Sequence, residues 1–240
     1  MDGTLVHFTF DVVAWIAAGL SLLWLKRLTG VQFPTSTTRS LNYIAALLFG
    51  AGIGAVLFGT ANLWLSNQTG IARSVEGGIA GGIIAIELYK KIAGIRERTG
   101  ARFALPLAAG VAVGRIGCYL AGLDDFTYGM PTALPWGHDF GDGIPRHPVQ
   151  LYESAAMLLF AAAYVACLRR GNRFVIENGF YLAVGYYGVQ RFLWEFVKPY
   201  GGVIGPLTLF HILSALLAIY AIVMIATAPD RGAVHDRAFA

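Results

Sequence analysis

Apolar residues run along this 240-residue chain in blocks of about twenty, parted by short polar connections. A helix of about 20 apolar residues is what a bilayer's hydrocarbon core requires. The blocks therefore predict seven transmembrane helices, at roughly 8 to 25, 41 to 62, 76 to 93, 101 to 122, 148 to 168, 176 to 197 and 207 to 228. The reading is an all-α integral membrane protein forming a single polytopic domain over 1–240. One connection is long: 123 to 147, "LDDFTYGMPTALPWGHDFGDGIPRH", rich in Gly, Pro and Asp and too polar to span. With the pairs Tyr128-Gly129 and Trp136-Gly137 it reads as a folded, turn-rich outer loop resting at the interface, where Trp and Tyr are favoured. Asp124, Asp125, Asp139 and Asp142 lack calcium-loop spacing and read as solvated turn residues.

Composition agrees with the pattern: 56% of residues are hydrophobic, 13% are charged and the mean hydropathy is +0.60, outside the range of a soluble domain of this length. Charge then orients the helices. Lys26, Arg27 and Arg39, Lys90, Lys91, Arg96, Arg98 and Arg102, Arg169, Arg170 and Arg173, and Arg231 and Arg237 all fall on one side of a seven-span chain. Only Arg73, Arg146 and Lys198 fall on the other, so the positive-inside rule puts the N-terminus outside and the C-terminus in the cytoplasm. The first block has no basic residue before it and Lys26-Arg27 after it, the mark of a retained anchor rather than a cleaved signal. The formal charge of +4 is explained by anionic lipid at cytoplasmic helix ends and not by nucleic acid. Cys118 and Cys167 belong near opposite faces, which leaves no disulfide.

Few charges lie well inside a span: Asp11, Glu87, Arg115, Glu153, Arg191 and Glu195, with Glu76 at a helix mouth. An intramembrane Arg costs about 2.5–3.5 kcal/mol on insertion scales, so each is a functional candidate. At 1.5 Å per residue Arg115 sits about 20 Å along an outward-running span, and Arg191 reaches a similar depth. Asp11, Glu76, Glu153, Glu195 and His211 fall near the same outer level, and only Glu87 falls in the inner half. Two readings are open. Arg115 could pair with Glu153, and Arg191 with Glu195 one turn away, simply to neutralise charge. Alternatively the two guanidiniums form a bidentate clamp for a phospholipid phosphate entering from the outer leaflet. Gly50, Gly52 and Gly54, and Gly77, Gly78, Gly81 and Gly82, follow no strand and read as surfaces for close helix approach, not as a nucleotide loop.

The segment "GRIGCYLAG…TYGMPTALPWG…PRHPVQLYE", residues 114 to 153, resembles the signature region of prolipoprotein diacylglyceryl transferases. "VEGGIAGGIIA" (75 to 85), "GYYGVQRFLWEFVKP" (185 to 199) and "LTLFHILS" (207 to 214) resemble three further family segments in the same order. The resemblance implies a multi-pass enzyme of the bacterial inner membrane, without metal or cofactor. Such an enzyme moves the diacylglyceryl group of phosphatidylglycerol to the lipobox cysteine of a prolipoprotein signal peptide. Arg115 and Arg191 match the arginines the family needs for lipid binding and turnover, with Glu76 as base or polariser. Gly114, Gly117, Cys118, His147, Gln150, Tyr152, Glu153, Tyr187 and Glu195 complete the expected binding set. His147, Gln150 and Glu153, at i, i+3 and i+6, share one face, with Glu153 orienting Arg115. The chain departs from the family where Glu76 replaces a His, where Cys118 replaces an Asn, and where "AGLDD" replaces an Asn-x-Glu segment. Those departures keep two alternatives in view: a paralogue with another acceptor, and a non-catalytic phospholipid-binding protein. Cys118, on the face of Arg115, is either a thiolate favoured by that charge or a small packing residue. Asp11 has no assigned role.

Overall fold

A computed structural model describes residues 3–31 and 40–228. It contains seven long helices: α1 (Gly3–Thr29), α2 (Leu41–Leu65), α3 (Val75–Ile92), α4 (Ala104–Ala121), α5 (Val149–Arg169), α6 (Arg173–Glu195) and α7 (Leu209–Ala226). Each coincides with one of the expected apolar blocks to within a few residues at either end, the first excepted, where α1 begins earlier and ends later. Arg39, Arg231 and Arg237, used in the orientation argument, lie outside the described residues. Five of these segments are long and apolar enough to cross a membrane. The other two, α3 and α6, carry Glu76, Glu87, Lys90 and Lys91, and Arg173, Glu177, Arg191 and Glu195.

Helix starts are written locally. Ser40, Ser74, Asn172 and Thr208 each accept a backbone N–H from three residues on, satisfying donors that the first turn leaves open. Helix α1 packs along α4, α2 along α3, α4 along α5 and α6 along α7. The surface is rich in exposed apolar side chains, and a set of charged residues is buried among the apolar ones of the interior. Leu41, Leu23 and Phe49 are more than 70% exposed, whereas Glu76, Glu153, Arg191 and Glu195 are at most 2% exposed. Such a distribution costs heavily in water and suits hydrocarbon, where side chains of Leu and Phe find an equivalent solvent and charges must pair inside. The protein is a multi-pass membrane protein.

Of the glycines expected at close approaches, Gly50, Gly54, Gly77 and Gly81 are at them, whereas a Cβ on Gly52 would meet nothing and one on Gly78 only ordinary contacts. A Cβ on Gly54 would lie 2.3 Å from the Gly77 carbonyl oxygen, and one on Gly81 would lie 2.2 Å from that of Gly50. Backbone thus meets backbone along the α2–α3 pair. The pair stands off from the α1–α4 pair, and an apolar groove of about 400 Å³ runs between them. Its walls include Ala14, Ala51, Gly78, Ile83 and Leu107, with Asp11, Val75 and Gly114 towards one end and Glu87, Lys90 and Thr99 towards the other. From Gly78 to Lys90 the wall extends about 18 Å at 1.5 Å per residue, close to the half-thickness of a hydrocarbon core of about 30 Å.

The 123–147 connection is folded, as expected. Its two antiparallel strands, β1 (His138–Asp139) and β2 (Pro145–Arg146), enclose a turn in which Asp139 Oδ1 accepts the N–H groups of Gly141, Asp142 and Gly143. A second pair, β3 (Gly202–Ile204) and β4 (Leu207–Thr208), joins α6 to α7. Met130 N–H donates to Val197 O at 2.7 Å and Tyr200 O–H to Phe126 O at 2.9 Å, fastening one loop to the other.

Gly81→Ala is expected to destabilise the protein by about 1–3 kcal/mol, the usual cost of overpacking. Gly52→Ala, whose Cβ meets nothing within 4 Å, should be neutral or slightly stabilising through helix propensity. Denaturant unfolding in detergent micelles compares the two, and equal effects would mean that the α2–α3 contact is not held by close backbone approach.

Candidate active site

Inside the bundle, where α3, α5 and α7 begin and α4 and α6 end, lies a cluster of six charged side chains centred on Glu153. The sequence puts them there by helical phase: Glu153 sits one turn into α5, Arg191 and Glu195 lie one turn apart at the end of α6, and Glu76 follows the cap of α3. Arg115 Nε lies 2.5 Å from Glu153 Oε2, and Arg191 Nη1 lies 3.4 Å from Oε1 of the same carboxylate. Lys198 Nζ reaches that Oε1 at 2.8 Å. Arg191 is also held by Glu195 (Nη1–Oε2, 2.6 Å) and by Glu76 (Nε–Oε2, 3.3 Å). The two arginines come from separate helices and meet on opposite oxygens of one carboxylate.

A shell of hydroxyls fixes the carboxylates. Ser214 O–H donates to Glu76 Oε1 at 2.6 Å, and Thr208 O–H donates to Glu195 Oε1 at 2.5 Å. Thr208 also caps α7: its hydroxyl accepts the His211 N–H while His211 Nδ1 accepts the Thr208 N–H at 3.1 Å. One threonine therefore ties the start of α7 to the end of α6.

The pairings Arg115–Glu153 and Arg191–Glu195 are present as the sequence suggested, but as parts of a network rather than as two isolated neutral pairs. Gln150 and Tyr187 lie one turn from Glu153 and Arg191, fully buried, and neither the Gln150 amide nor the Tyr187 hydroxyl finds a hydrogen-bond partner among the described residues. His147 departs from expectation. It precedes α5 instead of sharing the face of Gln150 and Glu153, and its Nδ1 lies 3.4 Å from the Tyr152 hydroxyl, which accepts the Trp136 N–H at 2.8 Å. His147 belongs to the loop's packing because Pro148 starts the helix after it, whereas Tyr152, within α5, meets the loop through Trp136 and lies 5.2 Å from the Trp194 ring of α6. Gly117 packs α4 against α1, where a Cβ would lie 2.2 Å from that of Phe10. Gly114 lines the apolar groove. Neither arginine lines it, and both are nearly fully buried; the groove reaches Gly114 and Val75, the residues just before Arg115 and Glu76.

Lys198, Ser214 and Thr208 were not expected in the cluster. Lys198 carried a signal, as one of the very few cations that the sequence pattern assigns to the sparsely charged side, but its place after α6 hid the return of the chain into the site. Burial, and then Arg191 beside it, push the Lys198 ammonium down to about 8. Glu87, which the sequence sets apart from the others in depth, pairs instead with Lys90 at 3.2 Å. Cys118 and Cys167 are both free. Asp125 is not a solvated turn residue: Oδ1 meets His7 Nε2 at 2.7 Å, and the side chain is 10% exposed.

The model of the family described as "Prolipoprotein diacylglyceryl transferase" matches residues 11–227, beginning at Asp11 and leaving His7 outside. The chain is 33% identical over 210 residues to a protein of Nitratidesulfovibrio vulgaris (strain DP4) named phosphatidylglycerol--prolipoprotein diacylglyceryl transferase, covering 80% of this chain and 78% of the relative. It is 31% identical over 241 residues to the protein of that name from Cupriavidus metallidurans, covering 85% and 87%. It is 33% identical over 188 residues to that of Wolbachia pipientis wMel, covering 73% and 70%. No solved structure matches the chain.

Removing a carboxylate that serves three buried cations should be severe. Glu153→Ala is expected to cost about 3–5 kcal/mol of stability, the range for breaking a buried ion pair from one side. Asp142→Ala, which removes an exposed loop partner of Arg146, should change stability little. Unfolding in detergent measures both; a Glu153→Ala loss as small as that of Asp142→Ala would show that the cluster is hydrated rather than sealed.

Proposed function

Because the chain belongs to the prolipoprotein diacylglyceryl transferase family, we propose that it transfers the diacylglyceryl group of phosphatidylglycerol to the thiol of a lipobox cysteine. The observation that carries this reading is the meeting of Arg115 and Arg191, from α4 and α6, on the two oxygens of Glu153. In the reaction the acceptor thiol loses its proton, its sulfur pair forms an S–C bond to the glyceryl carbon, and the C–O pair leaves with the phosphate as glycerol phosphate. The departing phosphate gains charge as that bond breaks. Guanidiniums fixed in a water-poor site stabilise the later state more than the earlier one, which is what lowers the barrier.

The apolar groove is the place for the acyl chains. It is about one leaflet long and reaches the residues next to Arg115 and Glu76 at the end away from Lys90. Buried amide and hydroxyl groups without partners cost about 1–3 kcal/mol each, so Gln150 and Tyr187 are suited to a polar guest such as the glycerol headgroup. Glu195 and Glu153 orient the arginines, and Glu76 acts as base or polariser from its position on Arg191. Entry of the headgroup requires the α2–α3 pair to yield, since it rests on the rest of the bundle mainly through α3 and α7.

All seven helices span on this reading, α3 and α6 burying their charges inside the bundle, with the N-terminus outside and the C-terminus in the cytoplasm of a bacterial inner membrane. The alternation of basic connections supports that orientation, and the reactive cluster then faces the leaflet where the signal peptide's cysteine emerges. The chain acts as one polytopic domain, its partners being phosphatidylglycerol and the prolipoprotein signal peptide.

Arg115→Ala and Arg191→Ala are each expected to lower transfer from labelled phosphatidylglycerol to a lipobox peptide by at least about 10²-fold, the scale for removing one transition-state donor, while the protein still inserts. Unchanged product from both variants would remove the mechanism. Lys198 adds a pH dependence. Its charge is present below about 8 and lost above it, so phosphatidylglycerol binding in detergent should weaken from pH 7 to 9, and Lys198→Arg should hold its affinity across that range. An equally steep loss in Lys198→Arg would assign the titration to another group.

A further inference from the structure

Beside the arginine cluster, three potential ligand atoms from three places in the chain converge. His7 comes from α1, Cys118 from the last turn of α4, and Asp125 from the short 3-10 turn (Gly122–Asp125) that follows it. His7 Nε2 lies 2.7 Å from Asp125 Oδ1 and 3.9 Å from Cys118 Sγ, and all three ligand atoms lie within 4.8 Å of one another. Zinc bonds of about 2.0–2.3 Å in tetrahedral geometry set neighbouring ligand atoms roughly 3.3–3.6 Å apart. The His7–Asp125 and His7–Cys118 separations lie within about 0.6 Å of that spacing, and the Cys118–Asp125 separation, under 4.8 Å, within about 1.2 Å.

What surrounds the three atoms points the same way. The other His7 nitrogen, Nδ1, faces Asp11 Oδ2 at 3.4 Å, and Asp11 is in turn held by Arg73 at 3.3 Å. Asp125 Oδ2, the oxygen turned away from His7, accepts the Thr127 hydroxyl at 2.5 Å. A carboxylate behind the histidine and a donor behind the ligating carboxylate are the outer-shell contacts that orient metal ligands. A thiol, an imidazole and a carboxylate suit zinc better than calcium or magnesium, which take oxygen. Cys118 is buried, whereas the His7 side chain remains 27% exposed, so the site is open on one side.

We infer that His7, Cys118 and Asp125 form a binding site for a zinc-class divalent ion, with a fourth position open to an incoming thiol. Three protein ligands and an open position are the arrangement of a reactive rather than a structural zinc site. A thiol that coordinates such an ion gives up its proton and stays on the metal as thiolate. The site adjoins the phosphate clamp, because Arg115 Nη1 lies 3.9 Å from Cys118 Sγ. The role of the bound thiol rests on the transferase reading: the acceptor cysteine enters as fourth ligand, its proton passes to solvent, and its sulfur attacks the glyceryl carbon as the phosphate leaves. Activation of the thiol then comes from residues at the chain's own departures, Cys118 and the "AGLDD" segment, together with His7 and Asp11, and of the two roles open to Glu76 the polariser's, on Arg191, is the one left. The metal site itself requires only the geometry.

The test loads chelator-treated protein in detergent with Zn²⁺, counted by elemental analysis, and with Co²⁺, read by absorption. One ion per chain is expected, with a near-ultraviolet sulfur-to-cobalt band that survives Cys167→Ser and disappears in Cys118→Ser. Asp11→Asn, which keeps all three ligands, should weaken metal binding by about 10–100-fold, the usual effect of losing an outer-shell partner; this covers the case in which Cys118→Ser misfolds. Uptake by the wild type no greater than by Cys118→Ser, or a band that follows Cys167, would overturn the site. Addition of a lipobox peptide should change the visible cobalt bands, and an unchanged spectrum would overturn the open-position role. Metal binding without thioether product in the loaded protein would sink the transferase reading and uphold the site. Full transfer by metal-free protein would do the reverse for the proposed role.

Discussion

The carboxylate of Glu153 carries more of this structure than any other group. Its two oxygens receive Arg115 from α4, Arg191 from α6 and Lys198 from the chain beyond α6, all in an interior that water barely reaches. Charges in such surroundings interact several-fold more strongly than at a surface, but each loses several kcal/mol of hydration on entering. The arrangement is therefore no simple source of stability, because apolar residues of similar volume would hold α4, α5 and α6 together at least as well. What the cluster provides is position. With Glu153 pinned from three sides and Glu195 and Glu76 fixed by Thr208 and Ser214, the guanidiniums have little freedom to wander.

The bilayer explains why this polar heart can coexist with so apolar an exterior. Helices that satisfy their own backbone can expose Leu, Phe and Ile to lipid at no cost, and their few charges are driven inward to find partners. Association then depends on close contact, which the glycines of α2 and α3 provide. Pairing those two helices so tightly leaves them loosely attached to α1 and α4, and the space between becomes the apolar groove. The same glycines thus hold one helix pair together and leave a chain-shaped gap beside it.

Much of this was legible in the sequence. Runs of apolar residues mark all seven helices, including α3 and α6, whose charges leave them below the length and hydropathy that the other five reach. Depth along those helices brings Arg115, Glu153, Arg191 and Glu195 to one level, and the structure brings them into contact. Phase arguments failed where the helix had not begun: His147 shares the spacing of Gln150 and Glu153 but stands before Pro148, on the loop. Residues reached by a turn of irregular chain, such as Lys198 and Thr208, were invisible to periodicity. His7 and Asp125 were hidden for a related reason, since their meeting depends on how the chain turns after Gly122, whose φ of +72° no repeat pattern encodes.

The charge of the cluster bears on how it can turn over. Arg115, Arg191 and Lys198 face Glu76, Glu153 and Glu195, a formal balance before any substrate arrives. A site of bare cations would bind an anionic phospholipid tightly and gain little more as the reaction proceeds, which lowers KM without raising kcat. Carboxylates that compete for the same guanidiniums weaken the hold on the singly charged phosphodiester. When the C–O bond breaks and the phosphate approaches a second negative charge, it competes better for the N–H groups that Glu153 and Glu195 occupy. On the transferase reading, the acidic partners of the arginines thus shift binding energy from the substrate to the transition state, which explains why a site built to hold phosphate contains as many negative charges as positive ones.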